Sequence, residues 1–173
     1  MTDSGAGTDI EVRYAAEGDL PALTDIYNHY VLNTAATFDL QPHTVEDRRE
    51  WFDHYRSLGP YRLLVAVRNG DVVGYASSSR FRPRRAYDTS IEVTVYLRPD
   101  ATSGGLGTAL YERLFAELRG EPLHRAYAVI ALPNPGSVAL HAKFGFAPIG
   151  TMSEVGRKFE QWWDVLWMEC AIA

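Results

Sequence analysis

Residues 91–132 constrain the possible folds of this chain more than any other segment. A β-rich run from Ile91 to Leu97 is followed by the loop Gly104-Gly105-Leu106-Gly107 and by leucines spaced four residues apart, which predict a helix ending at Gly120. An apolar strand follows from Ala126 to Leu132. A strand, a glycine loop, a helix and a strand in this order predict an α/β domain with a mixed sheet.

The segment before this unit extends the α/β pattern. A strand is expected at 10–15, followed by a helix capped by Asp19. Thr44 and Asp47 resemble a capping box, which predicts a second helix that ends at Gly59-Pro60. That helix is expected to carry the apolar residues Val45, Phe52, Tyr55 and Leu58. Asn69-Gly70 predicts a type I′ hairpin turn between strands 63–67 and 72–77.

The segment after the unit adds one helix and two strands. Asn134 is expected to cap a helix with Pro135 in its first position, and that helix ends at Phe144 before Gly145. Strands are expected at 146–155 and 163–170. Most strand neighbours in such a sheet would be antiparallel, with helices flanking it.

Length and composition fit one globular domain. The 173 residues include 12% aromatics, which excludes a wholly disordered chain. Cys170 is the one cysteine, so an intramolecular disulfide and a cysteine-based zinc site are excluded, and a cytoplasmic, reducing location is expected. Residues 1–9 are small, polar and acidic, which predicts a disordered lead rather than a targeting signal; the domain would span 10–173.

Charge and hydropathy exclude several classes of partner. The formal net charge of −5 argues against general nucleic-acid binding, and no apolar window is long enough to cross a membrane. The histidines at 29, 43, 54 and 124 show no metal-ligand spacing, so no metal is predicted. Small-molecule chemistry or protein contact remains.

A glycine-rich loop between a strand and a helix can bring backbone N–H groups to a phosphate at the positive end of the helix dipole. The loop is neither a Walker motif nor a complete GxGxxG fingerprint. On its own, therefore, a purely structural turn explains it at least as well.

A larger set of motifs, in order along the chain, gives the loop its context. These motifs are NHY at 28–30, RRAYD at 84–88, Glu92, TVY at 94–96, Leu106-Gly107, VIALPN at 129–134, Ser137, Leu140-His141, Lys158, Trp162 and Asp164-Val165. With them the chain resembles the GNAT acetyltransferase superfamily, and within it the phosphinothricin and methionine sulfoximine N-acetyltransferases.

The resemblance implies acetyl transfer from acetyl-CoA to the amino group of a small amino acid. Family members hold the pyrophosphate with a Q/R-x-x-G-x-G/A loop, which is Thr102 to Gly107 here, so Thr102 replaces the expected Gln or Arg. The backbone amides of the loop would still bind phosphate. The expected acetyl-CoA contacts are Val95, Tyr96, Leu97, Thr102, Ser103, Gly104, Gly105, Leu106, Gly107, Thr108, Asn134 and Ser137.

Two residues match catalytic positions of the family. Glu92 interrupts an apolar strand run, and it would deprotonate the acceptor's ammonium group directly or through a water. Without the resemblance, a solvent-facing strand glutamate would be the simpler interpretation. His141 would protonate the leaving thiolate, although a structural or surface histidine is nearly as good an interpretation.

The acceptor side is expected at the basic stretch Arg80 to Arg85. A guanidinium pairs well with a carboxylate or phosphinate, which favours an amino acid with a second anionic or strongly polar group. The resemblance implies that Arg82, Arg84 and Tyr87 lie beside the acceptor and that Phe38 and Phe81 line its pocket. It also implies a homodimer, and the tryptophans at 162, 163 and 167 could serve either the core or the subunit interface.

Two other functions remain open at this point. The chain could be a catalytically silent acyl-CoA-binding module, an interpretation that Thr102 favours and that Glu92 and His141 disfavour. It could also acetylate protein N-termini or lysines, for which an arginine-bounded pocket has the wrong charge.

Overall fold

The computed structural model describes residues 10–102 and 104–172, so the expected lead at 1–9, Ser103 and residue 173 lie outside the described residues. The strands are β1 (Ile10–Tyr14), β2 (Leu63–Arg68), β3 (Asp71–Arg80), β4 (Ser90–Leu97), β5 (Arg125–Ala131), β6 (Ala147–Lys158) and β7 (Gln161–Ala171). The helices are α1 (Leu20–Asn33), α2 (Arg49–Asp53), α3 (Leu106–Leu118) and α4 (Pro135–Lys143).

Within the described residues, the strands form one sheet in the order β1-β2-β3-β4-β5-β7-β6. β4 and β5 run parallel, and the other neighbouring strands pair antiparallel. The prediction of an α/β domain with a mixed, mostly antiparallel sheet flanked by helices is confirmed. The parallel pair encloses the predicted strand, loop, helix and strand unit, because α3 is the crossover between β4 and β5.

Each face of the sheet has its own hydrophobic core. On one face, Leu106, Leu110 and Leu114 of α3 pack against β1 to β5 and β7, and α4 joins them through Leu140 and Phe144. On the other face, Leu23 and Ile26 of α1 pack on β2 and Tyr75 of β3, with the aromatic residues of α2 beside them. Apolar residues at a helical spacing of three or four explain why these helices bury one side.

Two local predictions are confirmed in detail. Asn69 and Gly70 have φ values of 54° and 87°, as a type I′ turn requires, and the hairpin strands extend beyond their predicted ends. Asn134 caps α4 by accepting a hydrogen bond from the backbone N–H of Ser137 at 3.1 Å, and Pro135 is the first helical residue.

The predicted second helix is mostly wrong. The Thr44–Asp47 capping-box bonds form, yet only Arg49–Asp53 is helical, and Leu58 is 82% exposed. The chain leaves the helix early because the segment closes on the start of β2. The backbone N–H of Arg56 donates to the carbonyl of Tyr61 at 3.0 Å, and the buried side chain of Arg62 donates to the carbonyl of Ser57.

The predicted cap at Asp19 differs in a smaller way. Asp19 occupies the residue before α1, but its carboxylate makes no bond to the first turn of the helix. It accepts hydrogen bonds from the backbone N–H of Ala16 at 2.7 Å and from the guanidinium of Arg13 at 2.7 and 2.9 Å. The side chain therefore fixes the turn before the helix.

Candidate active site

The two parallel strands separate soon after they meet. The ladder between β4 and β5 consists of Ser90 with Arg125, Ile91 with Ala126 and Glu92 with Tyr127. From Val93 onward the strands diverge, while β5 stays paired with β7 as far as Ala131. Backbone N–H and C=O groups of β4 that would face β5 in a full ladder therefore face the opening between the strands.

A cavity of about 430 Å³ occupies this opening. Its walls come from five parts of the chain: the end of α1 with the loop that follows it, the second half of β4, the glycine loop with the start of α3, the second half of β5, and α4. The lining residues are Tyr30, Ala36, Val93, Thr94, Val95, Tyr96, Leu97, Thr102, Gly105, Leu106, Gly107, Thr108, Val129, Ile130, Ala131, Asn134, Gly136, Ser137, Leu140 and His141. Most of the residues predicted to contact acetyl-CoA are thus brought together; Gly104 is not in the lining, and Ser103 lies outside the described residues.

The glycine loop forms the mouth of this cavity at the start of α3. Gly104 and Gly105 have φ values of 91° and 77°, in the left-handed region where only glycine is free of strain. Gly105 is the residue before α3 and has no side chain that could cap the helix, so it leaves the N–H groups of the first helical turn for an anion.

Gly107 serves a different purpose from the one that its place in the motif suggests. It lies inside α3 at a φ outside the left-handed region, and a Cβ there would come within 3.0 Å of Leu140 Cδ2. The missing side chain therefore allows α4 to pack closely against α3.

Glu92 is the last β4 residue paired with β5, immediately before the cavity lining begins. Its side chain is half-buried, and burial raises the pKa of the carboxyl group, an effect that the positive charge of Arg82 partly offsets. On the same side of the sheet, the Thr94 and Ser77 hydroxyls are 2.9 Å apart. A carboxylate with a raised pKa can accept a proton near neutral pH.

His141 is 3% exposed, and both of its ring nitrogens have partners. Nδ1 lies 2.7 Å from the carbonyl of Ser137, and Nε2 lies 2.8 Å from the hydroxyl of Tyr111. A carbonyl can only accept, so Nδ1 carries the proton and Nε2 accepts from Tyr111. Burial lowers the pKa of His141 and the hydrogen bond to the Ser137 carbonyl opposes this effect, so the site favours the neutral ring.

The basic stretch reaches the region of Glu92 through Phe81 and Arg82. Phe81 stacks on Tyr127, the ladder partner of Glu92, with 4.3 Å between ring centroids. The guanidinium carbon of Arg82 lies 4.6 Å from the Phe81 ring centroid and 5.3 Å from that of Trp167. The ring centroid of Tyr87 lies 5.9 Å from that of Phe81. These aromatic and basic groups form one cluster beside β5 and β7.

Among the described residues, the side chains of Arg84 and Phe38 take no part in the ring and cation contacts of that cluster. Arg84 is exposed, and its backbone carbonyl accepts a hydrogen bond from the N–H of Tyr87 at 2.9 Å. Phe38 is 37% exposed and lies over Gly156 of β6, where any Cβ would overlap the ring. Lys158 holds the same loop by donating to the carbonyl of Thr37 at 2.8 Å.

Sequence reasoning missed several residues of this region. Tyr127 and Trp167 support Phe81 and Arg82, and Tyr30 lines the cavity while donating to the carbonyl of Leu97 at 2.6 Å. Tyr30 belongs to the NHY motif, so the motif itself was a signal. For Tyr127 and Trp167 the signal was weaker, because alternation along a strand gives the face of a side chain but not its neighbour.

The chain matches the acetyltransferase (GNAT) domain family over residues 12–167. The chain belongs to the GNAT acetyltransferase family. The resemblance drawn from the sequence motifs is therefore confirmed.

Relatives of this GNAT acetyltransferase carry more specific names. It is 52% identical over 163 residues to a phosphinothricin N-acetyltransferase of Streptomyces coelicolor, which covers 93% of this chain and 95% of the relative. It is 36% identical over 158 residues to an L-methionine sulfoximine/L-methionine sulfone acetyltransferase of Pseudomonas aeruginosa, with 91% and 92% covered.

A solved structure gives the same result for the fold of this GNAT acetyltransferase. A GNAT superfamily phosphinothricin acetyltransferase from Sinorhizobium meliloti, in complex with acetyl-CoA, superimposes with a TM-score of 0.90 and 33% sequence identity. The match covers 95% of this chain and 89% of that structure.

Over 10–102 and 104–172, no helix combines the length and apolar character needed to cross a membrane. Over the same residues, no group of three or more His, Cys, Asp or Glu side chains could hold a metal ion.

Proposed function

We propose that this enzyme transfers the acetyl group of acetyl-CoA to the amino group of a small amino acid of the phosphinothricin or methionine sulfoximine type. The observation that carries the proposal is the cavity between β4 and β5, which runs from the start of α3 to the residue next to Glu92. The names of the Streptomyces and Pseudomonas relatives support the choice of acceptor.

The residues present fit acetyl-CoA. The N–H groups of the first turn of α3, which Gly105 leaves uncapped, suit a pyrophosphate. The open backbone edge of Val93 to Leu97 suits an amide-containing arm that adds to the strand. Acetyl-CoA supplies an acetyl thioester. Asn134 and Ser137 line the opposite wall, where they would keep the arm against β4.

Glu92 is proposed as the general base. The acceptor's ammonium nitrogen must lose a proton before its lone pair can attack, and the Glu92 carboxylate would take that proton directly or through a water. Its raised pKa supports this role, because a carboxylate closer to neutrality is a stronger base than an exposed one.

His141 is proposed to act at the leaving sulfur, as the family resemblance implies. Its place in the cavity lining supports this role. The bond from Nδ1 to the Ser137 carbonyl and the pairing of Nε2 with Tyr111 favour a second role, in which the ring positions α4 against α3. A proton would reach the thiolate only if one of these bonds is exchanged during turnover.

Arg82, Phe81 and Tyr87 are proposed to bind the acceptor, with Arg84 and Phe38 in a lesser role. The charge effect of Arg82 on the Glu92 carboxyl supports a position near the reacting amine. A guanidinium there would pair with the carboxylate or phosphinate of the acceptor.

The proposal is tested by following thiol release from acetyl-CoA with four additions: phosphinothricin, methionine sulfoximine, a peptide with a free N-terminus, and no acceptor. Rapid release with the two amino acids and little with the peptide supports the proposal. Release with the peptide alone would favour protein acetylation. Binding of acetyl-CoA without release in any mixture would favour a silent acyl-CoA-binding module.

We also propose that the enzyme is a cytoplasmic homodimer. The edge hairpin of β6 and β7 supports the dimer, because Ile149, Met152, Val155, Phe159 and Trp162 are between 47% and 59% exposed. Cys170, the one cysteine of the sequence, is a buried free thiol, which is consistent with a reducing compartment such as the cytoplasm. Sedimentation equilibrium would give twice the chain mass for a dimer, and a single-chain mass would contradict it.

A further inference from the structure

The glycine loop has no positive charge of its own. Residues 102–108 read TSGGLGT, and the Thr102 hydroxyl donates to the carbonyl of Pro99 at 3.4 Å. A pyrophosphate bound there would meet backbone N–H groups, and any cation would have to come from another part of the chain.

Lys143 of α4 donates to the Thr108 hydroxyl at one end of this segment, at 3.3 Å. Arg68 is a second cation from a neighbouring element, and it lies beside Gly104. It is the last residue of β2, next to the Asn69-Gly70 turn. Its Nη2 lies 3.6 Å from the point where a Cβ on Gly104 would stand. A side chain at position 104 would therefore contact the guanidinium, and its absence leaves that approach open.

Hydrogen bonds within the described residues leave part of the Arg68 guanidinium without a partner. Its Nε is buried and has no hydrogen-bond partner among the described residues. Asp100 is nearby, since the Arg68 charge contributes to lowering the pKa of that carboxyl, but Asp100 already accepts from Nε of Arg98 at 2.6 Å. The guanidinium therefore lies beside an anion-binding loop, with its Nη2 atom toward Gly104.

We propose that Arg68 binds a phosphate group of acetyl-CoA at the glycine loop and supplies a positive charge beside Gly104, which the loop itself lacks. The inference rests on the proposed function, because it assumes that acetyl-CoA is the donor. The loop amides fix the phosphate in place, and Arg68 adds a charge-assisted contact from the β2–β3 hairpin.

The experiment compares Arg68→Gln with Arg119→Gln, which removes the same charge from an exposed position at the other end of α3. Isothermal titration with CoA is expected to show about tenfold weaker binding for Arg68→Gln and less than about twofold change for Arg119→Gln. Arg68→Lys should retain part of the affinity. Raising the salt concentration should weaken binding more in the unchanged protein than in Arg68→Gln.

A second donor separates phosphate binding from a structural role. With S-acetylpantetheine, which has no phosphate, kcat/KM should be the same for Arg68→Gln and the unchanged protein. If Arg68→Gln still binds 3′-dephospho-CoA more weakly than the unchanged protein, Arg68 contacts the pyrophosphate. If the two proteins bind 3′-dephospho-CoA equally well, Arg68 contacts the 3′-phosphate. Melting temperatures of both variants establish that they are folded.

Two outcomes would overturn the assignment: unchanged CoA affinity in Arg68→Gln, or an equal loss with CoA and with S-acetylpantetheine. Failure of the unchanged protein to bind CoA at all would instead refute the proposed function, so the two failures can be told apart.

Discussion

At the scale of single residues, the half-buried carboxyl of Glu92 connects catalysis with stability. Glu92→Gln keeps the shape of the side chain and removes the base. Turnover is expected to fall about 100-fold or more, while the affinity for acetyl-CoA stays the same, because Glu92 lies outside the cavity lining. Steady-state kinetics and calorimetry on the same preparation measure both quantities. Undiminished turnover at pH 7 would rule out Glu92 as the base.

The same variant should change how stability depends on pH. The pKa of Glu92 is about 4.5 in the unfolded chain, and burial raises it in the folded state. At pH values between the unfolded and the folded pKa, the folded protein therefore binds more protons than the unfolded chain. The free energy of unfolding therefore falls as pH rises through this interval. Thermal melts of Glu92→Gln should show higher stability than the unchanged protein at pH 8 and a difference that shrinks toward pH 4.5. An equal difference at both pH values would contradict the shift.

Arg82 and Arg84 offer a matched pair for acceptor binding. Arg82→Ala is expected to raise KM for an anionic amino acid about tenfold and leave KM for acetyl-CoA unchanged, whereas Arg84→Ala should have a smaller effect. Arg82→Ala should also move the acid limb of the pH profile upward, because the Arg82 charge lowers the pKa of Glu92. A larger acceptor effect from Arg84→Ala would transfer the binding role to Arg84.

Sequence patterns placed these residues in one basic stretch but could not rank them. Arg82 and Arg84 are both exposed and two positions apart. What distinguishes them is the contact of Arg82 with Phe81 and Trp167, and Trp167 lies 85 positions further along the chain, a pairing that only the sheet register reveals. Arg68 escaped notice for the same reason, since its neighbour Gly104 is two strands away.

At the scale of elements, the contact between α3 and α4 depends on Gly107. Gly107→Val would drive its side chain into Leu140 and destabilise the protein by about 1–3 kcal/mol. CoA affinity should fall as well, because Asn134, Ser137 and His141 move with α4. Adding Leu140→Ala should recover part of both losses. A Gly107→Val variant that loses CoA affinity without loss of stability, and that Leu140→Ala does not rescue, would show that the side chain blocks the ligand instead.

Element boundaries followed from sequence where local chemistry decides them, and failed where distant residues do. Asn69-Gly70 and Asn134-Pro135 set their own backbone conformation, so the hairpin and the start of α4 were predictable. The segment after Thr44 has a helical pattern, yet Arg62 and Tyr61 hold it as a loop. Side chains that arrive from a later strand leave no local trace in the pattern.

At the scale of the whole molecule, the α/β class and the sheet type followed from the order of elements. The divergence of β4 and β5 did not, because apolar strand runs look alike whether they pair along their full length or part of it. The edge strand β6 was likewise expected only as a strand, with no indication that every residue from Ala147 to Val155 would be exposed.

The short ladder between β4 and β5 has a consequence for how the protein holds together in a cell. Within the sheet, the four N-terminal strands pair with the three that follow through this ladder, which consists of three residue pairs. Acetyl-CoA bound between β4 and β5 would contact both halves of the sheet and hold them together at this short ladder. Hydrogen–deuterium exchange at the backbone amides of 93–97 should slow when CoA is added, and resistance to proteolysis should rise with it. The lifetime of the enzyme would then follow the supply of its own donor.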